Sequence, residues 1–339
     1  MLAPALNTQY AGSNVTGDRG LIAIDKVGNQ VRFYDPRTLK EVKAFAGPEP
    51  TVHELTFSSD RRFAFAPLYG DGIYGSNKEP NNKILIIDLD RQEAGGLIDL
   101  GDCLAPHGMV GTRDGKLWVV SDLVNKLLLV DPAAKKIETA YAIPGKGSHF
   151  VVSLPDESKL YVSNKEADVA VFDVARRSFL PSIPVGRPGV AAGNGSGSEG
   201  LTPTPDGKRL LVADNDLSDI RVIDTATDRE IDRVPLVMHP KTNVKRSRLV
   251  KLMFAPDASV LVAVSYASGL AWVIDASDYR RQTAIAVAKG PFGIAFTPDS
   301  RTALIASHDS GLLTAIDVRT KTVTAAYDGG NGIECLAYY

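Results

Sequence analysis

Residues 160–173 read LYVSNKEADVAVFD: an apolar alternating run, a short polar turn, and a second apolar run that stops at an aspartate. Two β-rich runs joined by a turn of Asn, Asp or Gly are the signature of a hairpin. The same figure recurs six more times. Upstream it reads LIAIDKVGNQVRFYD (21–35), FAFAPLYGDGIYGSNKEPNNKILIID (63–88, with a longer turn) and LWVVSDLVNKLLLVD (117–131). Downstream it reads LLVADNDLSDIRVID (210–224), VLVAVSYASGLAWVID (260–275) and ALIASHDSGLLTAID (303–317). The terminal aspartates, from Asp35 to Asp317, lie 42 to 53 residues apart. Before most copies comes another β-run ending in a Pro-Asp or Asp-Gly turn, as in LTPTPDGK, KLMFAPDAS and GIAFTPDSR. After each copy comes a fourth run, such as REIDRVPL or QTAIAVA. Four strands per repeat of this length is the period of a propeller blade. The expected fold is all-β: a seven-bladed β-propeller of four-stranded antiparallel blades, one domain over residues 1–339.

The ends of the chain fit a closed ring. The first copy has its turn, TGDRG, but no strand before it, and the last segment, NGIECLAYY, has the form of that missing strand. Residues 332–339 are therefore expected to complete the blade begun by residues 20–46, leaving no long open sheet edge. The composition, 44% hydrophobic and 23% charged with a formal net charge of −2, is that of a globular protein without a nucleic-acid footprint. No apolar run has the length of a membrane span. Two cysteines far apart, Cys103 and Cys335, do not form a disulfide framework and read as buried thiols. The stretch MLAPALNTQYAGSNVTG has no basic region followed by an apolar one, so it is not an intact secretory signal. The compartment stays open between the cytoplasm and a trimmed periplasmic or secreted chain, and oligomeric state is not read from the sequence.

The segment Tyr161–Asp173, YVSNKEADVAVFD, resembles the repeat of the YVTN (YncE-like) propellers, within the lactonase-like propeller superfamily. The resemblance extends over nearly the whole chain and implies the fold. It implies no single activity, because that superfamily holds lactonases, lyases, redox proteins and binding scaffolds.

Long loops fall on one face, the one that holds the entries to the inner strands and the turns between second and third strands. They are Tyr69–Asn82, Gly186–Ser198 and Val237–Arg248. Such loops on a rigid scaffold are where function tends to sit. Aligning the inner strands on their turn aspartate gives a sharper signal. Seven residues before it stand His53, His107, His149 and Glu199 in four neighbouring blades, then Val250 and Phe292, with Ile333 in the same place by pattern in the last strand. Equivalent positions in a propeller face one axis, and the chain has five histidines in all. Imidazoles and a carboxylate meeting at one point suit Fe, Zn, Mn, Ni or Cu. His53, His107, His149 and Glu199 are thus the expected metal ligands, with Fe, Zn or Mn favoured and calcium disfavoured by the imidazoles. The competing reading is a channel mouth lined by histidines bonded to water and carbonyls.

Further candidates are weaker. Glu54 and Glu334 lie one place beyond the aligned position and are candidates to orient the histidines, the competing and slightly favoured reading being a solvated or hydrogen-bonded carboxylate. Lys251 is expected near Glu199, where it could pair or hold an anionic substrate. His308 is a candidate general base. Lys251, Glu334 and His308 form the expected catalytic set. Tyr69, Tyr74 and Tyr266 are candidate pocket walls, as are the apolar Val250, Phe292 and Ile333. Lys241, Lys245, Arg246 and Arg248 are a basic run able to attract a carboxylate or phosphate, or simply solvated. His239 has no assigned role. The chain has no G-x-S-x-G elbow, no phosphate loop and no CxxCH haem motif, and GNGSGSEG departs from the dinucleotide pattern. The leading expectation is a metal-dependent enzyme acting on a small, oxygen-rich substrate, anions included, with lactone hydrolysis first and an oxygenase, isomerase or lyase next. The rival is a non-enzymatic propeller that binds a ligand or protein on the same face. Neither a nucleic-acid nor a membrane partner is expected.

Overall fold

The computed structural model describes residues 17–49, 51–73, 76–166, 168–185, 197–215, 219–240 and 248–339. Each aspartate that marks the repeat has a job in it. Asp35 accepts hydrogen bonds from the main-chain N–H of Arg37 and Thr38, Asp88 from Asp90 and Arg91, and Asp131 from Ala133 and Ala134. The residue four places on adopts positive φ in six of the seven copies: Leu39, Gln92, Lys135, Arg177, Asp228 and Lys321. The carboxylate therefore builds the turn between third and fourth strands, which is why it recurs where side-chain packing would not require it.

The described residues form 28 strands in seven four-stranded antiparallel sheets. Each sheet is one blade of a β-propeller. The inner strands, from blade one to blade seven, are Ile333–Tyr338, Thr56–Phe57, Pro106–Gly111, Ser148–Ser153, Ser198–Pro203, Leu249–Phe254 and Pro291–Phe296. Blade one is closed as expected: Ile333–Tyr338 pairs antiparallel with Leu21–Asp25. Asp25, fully buried, clamps the closure by accepting from the N–H of Gly28, Asn331 and Gly332 while Arg32 pairs with its Oδ2 at 3.0 Å.

The core lies between adjacent blades. Ile22, Val31 and Phe33 of blade one pack with Leu55, Phe57, Ala64 and Leu85 of blade two, all buried. Burial of each such side chain is worth about 1.5–3 kcal/mol, so the blades are held face to face without disulfides. Among the described residues no helix is long and apolar enough to cross a membrane.

One irregularity repeats. In every blade the pairing of inner and second strands slips by one residue near the start of the inner strand. Lys251 faces Val264 but Leu249 faces Ser265, Gly293 faces Ala306 but Pro291 faces Ser307, and Cys335 faces Ile24 but Ile333 faces Asp25. The same shift occurs in blades three, four and five, and in blade two between the Thr56–Phe65 pair and the Val52–Leu68 bridge. A bulge sets two residues against one and re-aims side chains at a sheet end. Its effect here is to bring the residue after the aligned position into the channel as well.

Candidate metal centre

That next position holds, from blade one onward, Glu334, Glu54, Gly108, Phe150, Gly200, Lys251 and Gly293. Large and small alternate for a steric reason. A Cβ on Gly108 would lie 2.6 Å from the His149 carbonyl oxygen, on Gly200 2.7 Å from that of Val250, and on Gly293 2.3 Å from that of Glu334. Each glycine lets the inner strand of the following blade approach, and the large residues fill the channel between.

The aligned residues sit just above. His53, His107, His149 and Glu199 are all buried. The Nε2 atoms of His53 and His107 lie 2.8 Å apart. Nδ1 of His107 is 3.2 Å from the main-chain oxygen of His149, an atom that can only accept, so the proton of a neutral His107 belongs on Nδ1. Nδ1 of His53 is 2.8 Å from Oε2 of Glu334, outside good hydrogen-bond alignment but close enough that a lone pair there would meet a carboxylate head-on. Glu334 is ionised. Burial pushes its carboxyl up, but the charge of Lys26 at 3.7 Å leads the influences that outweigh burial and hold it below the ordinary carboxylate range. The proton of a neutral His53 therefore also belongs on Nδ1.

Both Nε2 atoms are then bare and face each other within contact distance. Two lone pairs at 2.8 Å repel unless an electrophile lies between or beside them. A proton would serve, making one ring an imidazolium, but burial drives His53 below its ordinary value and His107 well below it. A divalent cation bound to both nitrogens would also relieve the contact, at its own cost of burying charge. Glu54 completes the donor set, since one carboxylate oxygen and one nitrogen of each ring lie within 4.8 Å of one another.

The structure brings together two of the four expected ligands, His53 and His107, and adds Glu54 to them. His149 stacks on His107 with ring centroids 3.5 Å apart, places Nδ1 3.3 Å from Asp122 and places Nε2 3.7 Å from Glu199. Glu199 also pairs with Lys165 at 3.3 Å. Lys251 departs from its expected place. Its ion pair is with Glu54 across the channel, at 3.1 Å and 3.2 Å to the two oxygens, because the bulge turns both residues to the axis. Its ammonium lies 5.3 Å from the ring centres of Phe150 and Phe292. Cys335 donates its thiol proton to Glu54 at 3.5 Å.

His308 reaches the same cluster, with Nε2 3.5 Å from Glu334 and Nδ1 3.1 Å from Asp309, and is the most open of these histidines. Tyr266 donates to Asp309. Tyr69 is buried beside His53 and His107 and donates to Asp122 at 2.7 Å. Val250 is buried and Phe292 half-buried, but Ile333 packs fully buried in the core between blades seven and one rather than lining the mouth. Arg248 approaches Asn215 at 3.3 Å, and His239 is half-buried on its loop. Tyr74, Lys241, Lys245, Arg246 and most of loop 186–198 lie outside the described residues.

No protein-family model matches the chain, and no curated protein matches it. Its likenesses are among solved structures. A chain of the Kuenenia stuttgartiensis hydrazine synthase is 17% identical, with 83% of this chain and 87% of that one covered, at a TM-score of 0.65. A functionally unknown protein from Desulfotomaculum acetoxidans is 12% identical, with 94% and 98% covered, at 0.73. At these identities the likeness is one of fold.

Three residues of the cluster, Lys26, Asp122 and Lys165, escape the alignment of inner strands. They share a signal of their own. Each directly follows the last residue of a second strand, as do Asn215, Tyr266 and His308. That turn position is a further ring of side chains over the mouth. Asp122 is the most perturbed of them: burial pushes its carboxyl up to about 7.

Proposed function

We propose that this propeller is a metal-dependent enzyme whose ion is held by His53, His107 and Glu54 at the channel mouth, with His149 and Glu199 beside it. The observation that carries the reading is the pair of Nε2 atoms facing each other 2.8 Å apart, with the His149 carbonyl oxygen at Nδ1 of His107 and the Glu334 carboxylate beside Nδ1 of His53. Two imidazoles and one carboxylate leave coordination positions for substrate or water and suit Fe, Zn or Mn better than calcium. Bound there, a divalent ion would polarise a substrate oxygen or lower the pKa of a water. Hydrolysis of a lactone or related bond is the first reaction to test, in keeping with the YVTN-like resemblance of Tyr161–Asp173. His308 would serve as the proton carrier from the open side. Glu334 would orient His53, and Lys251 would hold Glu54.

An oxygenase is the second reading, because two histidines and a carboxylate also form the common non-haem iron centre. The test is elemental analysis of tag-free protein by mass spectrometry, before and after dialysis against each metal. Near-stoichiometric transition metal, lost in His107→Ala with folding intact, is the expected result. A protein free of transition metal even after reconstitution would leave a binding scaffold with a histidine-lined channel.

A further inference from the structure

The charges around the centre are paired almost one to one. Glu54 has Lys251 at 3.1 Å, Glu199 has Lys165 at 3.3 Å, and Glu334 has Lys26 at 3.7 Å. The carboxylates sit at 9% side-chain exposure or less, and the lysines at 14% or less. Histidines that ligate a metal do so as neutral rings. A divalent ion placed among His53, His107 and Glu54 would therefore add two positive charges to a buried site whose negative charge is already spent on lysines. Of the other acids nearby, Asp122 lies behind His149 and hydrogen-bonds to Tyr69, and Asp309 accepts from Tyr266, contacts His308 and lies 3.6 Å from Lys289. An isolated buried charge costs several kcal/mol or more, and in practice such a site recruits a counter-ion.

We infer that the substrate is a small organic anion, whose carboxylate binds the metal and supplies the charge that the protein withholds. The inference rests on the metal reading above and narrows it to a substrate class. Lys26 and Lys165, at the two ends of the histidine row, cancel the charges of Glu334 and Glu199, so that no net negative field at the mouth repels such an anion. A neutral substrate of the same size would leave the charge unbalanced and bind weakly. Lys251 is what creates the need: by occupying Glu54 it prevents that carboxylate from neutralising the ion. Had this position held an apolar residue, Glu54 would serve the metal alone.

The experiment uses the full chain, stripped by chelator, reloaded with one equivalent of Co(II) and freed of excess metal. Glycolate, and separately its neutral analogue ethylene glycol, are titrated into cobalt-loaded and metal-free protein. Binding is followed by calorimetry and by the visible cobalt spectrum. Glycolate should perturb the cobalt bands and bind at least about tenfold more tightly than to metal-free protein, whereas ethylene glycol should do neither. In Lys251→Met the advantage of the anion over the neutral analogue should shrink, because Glu54 is released. If cobalt binds one to one but glycolate and ethylene glycol behave alike, or neither alters the bands, the anionic class is wrong and the metal centre stands. If cobalt does not bind at all, the metal reading falls and this inference with it.

Discussion

Replacing Lys251 by methionine tests the channel architecture directly. The Lys251–Glu54 pair is sealed, with side chains 2% and 4% exposed and both carboxylate oxygens within 3.2 Å of the ammonium. Burial works against the Lys251 charge, but attraction to Glu54 outweighs it and raises the ammonium above its ordinary value. At an effective dielectric near 20, opposite charges about 3 Å apart attract by roughly 5 kcal/mol, most of which offsets desolvation. The net worth of the pair is therefore small, yet breaking it is costly, because Lys251→Met strands a carboxylate in the channel. The expected loss is about 3–5 kcal/mol. Glu54→Gln strands the ammonium at similar cost, and the double variant should lie within about 1 kcal/mol of wild type, both charges having gone together. Urea denaturation of the four proteins with chelator present at neutral pH gives the cycle. Co(II) should then stabilise Lys251→Met more than wild type, since the ion replaces the missing cation beside Glu54. A single variant within about 1 kcal/mol of wild type, with no recovery in the double, would show that the two charges are solvated.

Asp122 gives a pH signature. Its folded carboxyl sits at about 7 against 3.8 when unfolded, so its contribution to stability is complete below about 3.8 and is lost as pH rises toward 7. Asp122→Asn should flatten that part of the metal-free stability profile and gain on the order of 2–4 kcal/mol at pH 8; an unchanged profile from thermal melts at each pH would remove the buried acid. Gly200→Ala should cost roughly 1–3 kcal/mol in urea, because its methyl group meets the Val250 carbonyl oxygen at 2.7 Å; a neutral effect would mean the inner strands are not held that closely. Cys335 is buried, and burial foremost, with Glu54 beside it, raises its thiol well above the ordinary value. It should react with a disulfide reagent only at the rate of unfolding, as read by mass spectrometry of the labelled peptide. Rapid labelling of folded protein would place it near solvent.

The blades were readable because each is announced by a residue with a local task. The aspartate at positions such as Asp35 and Asp131 builds a turn whatever packs around it, so it persists while the strands vary. The ring of His53, His107, His149 and Glu199 was readable for a related reason: its members stand seven residues before Asp60, Asp114, Asp156 and Asp206, the aspartates of the turns that follow the inner strands. The partners of that ring were harder. Strict alternation would turn Glu54 and Lys251 away from the axis, and only the bulge brings them in to meet each other, which is why Lys251 pairs with Glu54 and not with the expected Glu199. Lys26, Asp122 and Lys165 arrive from another strand altogether, and pairing them with particular carboxylates requires the curvature of the ring. The glycines were the available clue. Gly108, Gly200 and Gly293 fall at every second blade, where an ordinary inner strand would carry a side chain.

That alternation also accounts for where the centre lies. A large-small pattern closes perfectly around an even ring, but seven is odd. Going round from blade two, large and glycine positions alternate through Glu54, Gly108, Phe150, Gly200, Lys251 and Gly293, and then Glu334 meets Glu54 with no glycine between them. Inner strands draw together where a glycine permits it, in blades three with four, five with six, and seven with one. Blades one and two lack that device and carry a carboxylate each. His53 stands at this seam, with Glu334 against its Nδ1 and Glu54 next in its own strand. Both acids pull positive charge toward His53 while burial opposes a proton there. The position where the ring's packing rule cannot be satisfied is thus the one where two carboxylates, each paired with a lysine, crowd against the imidazole of His53.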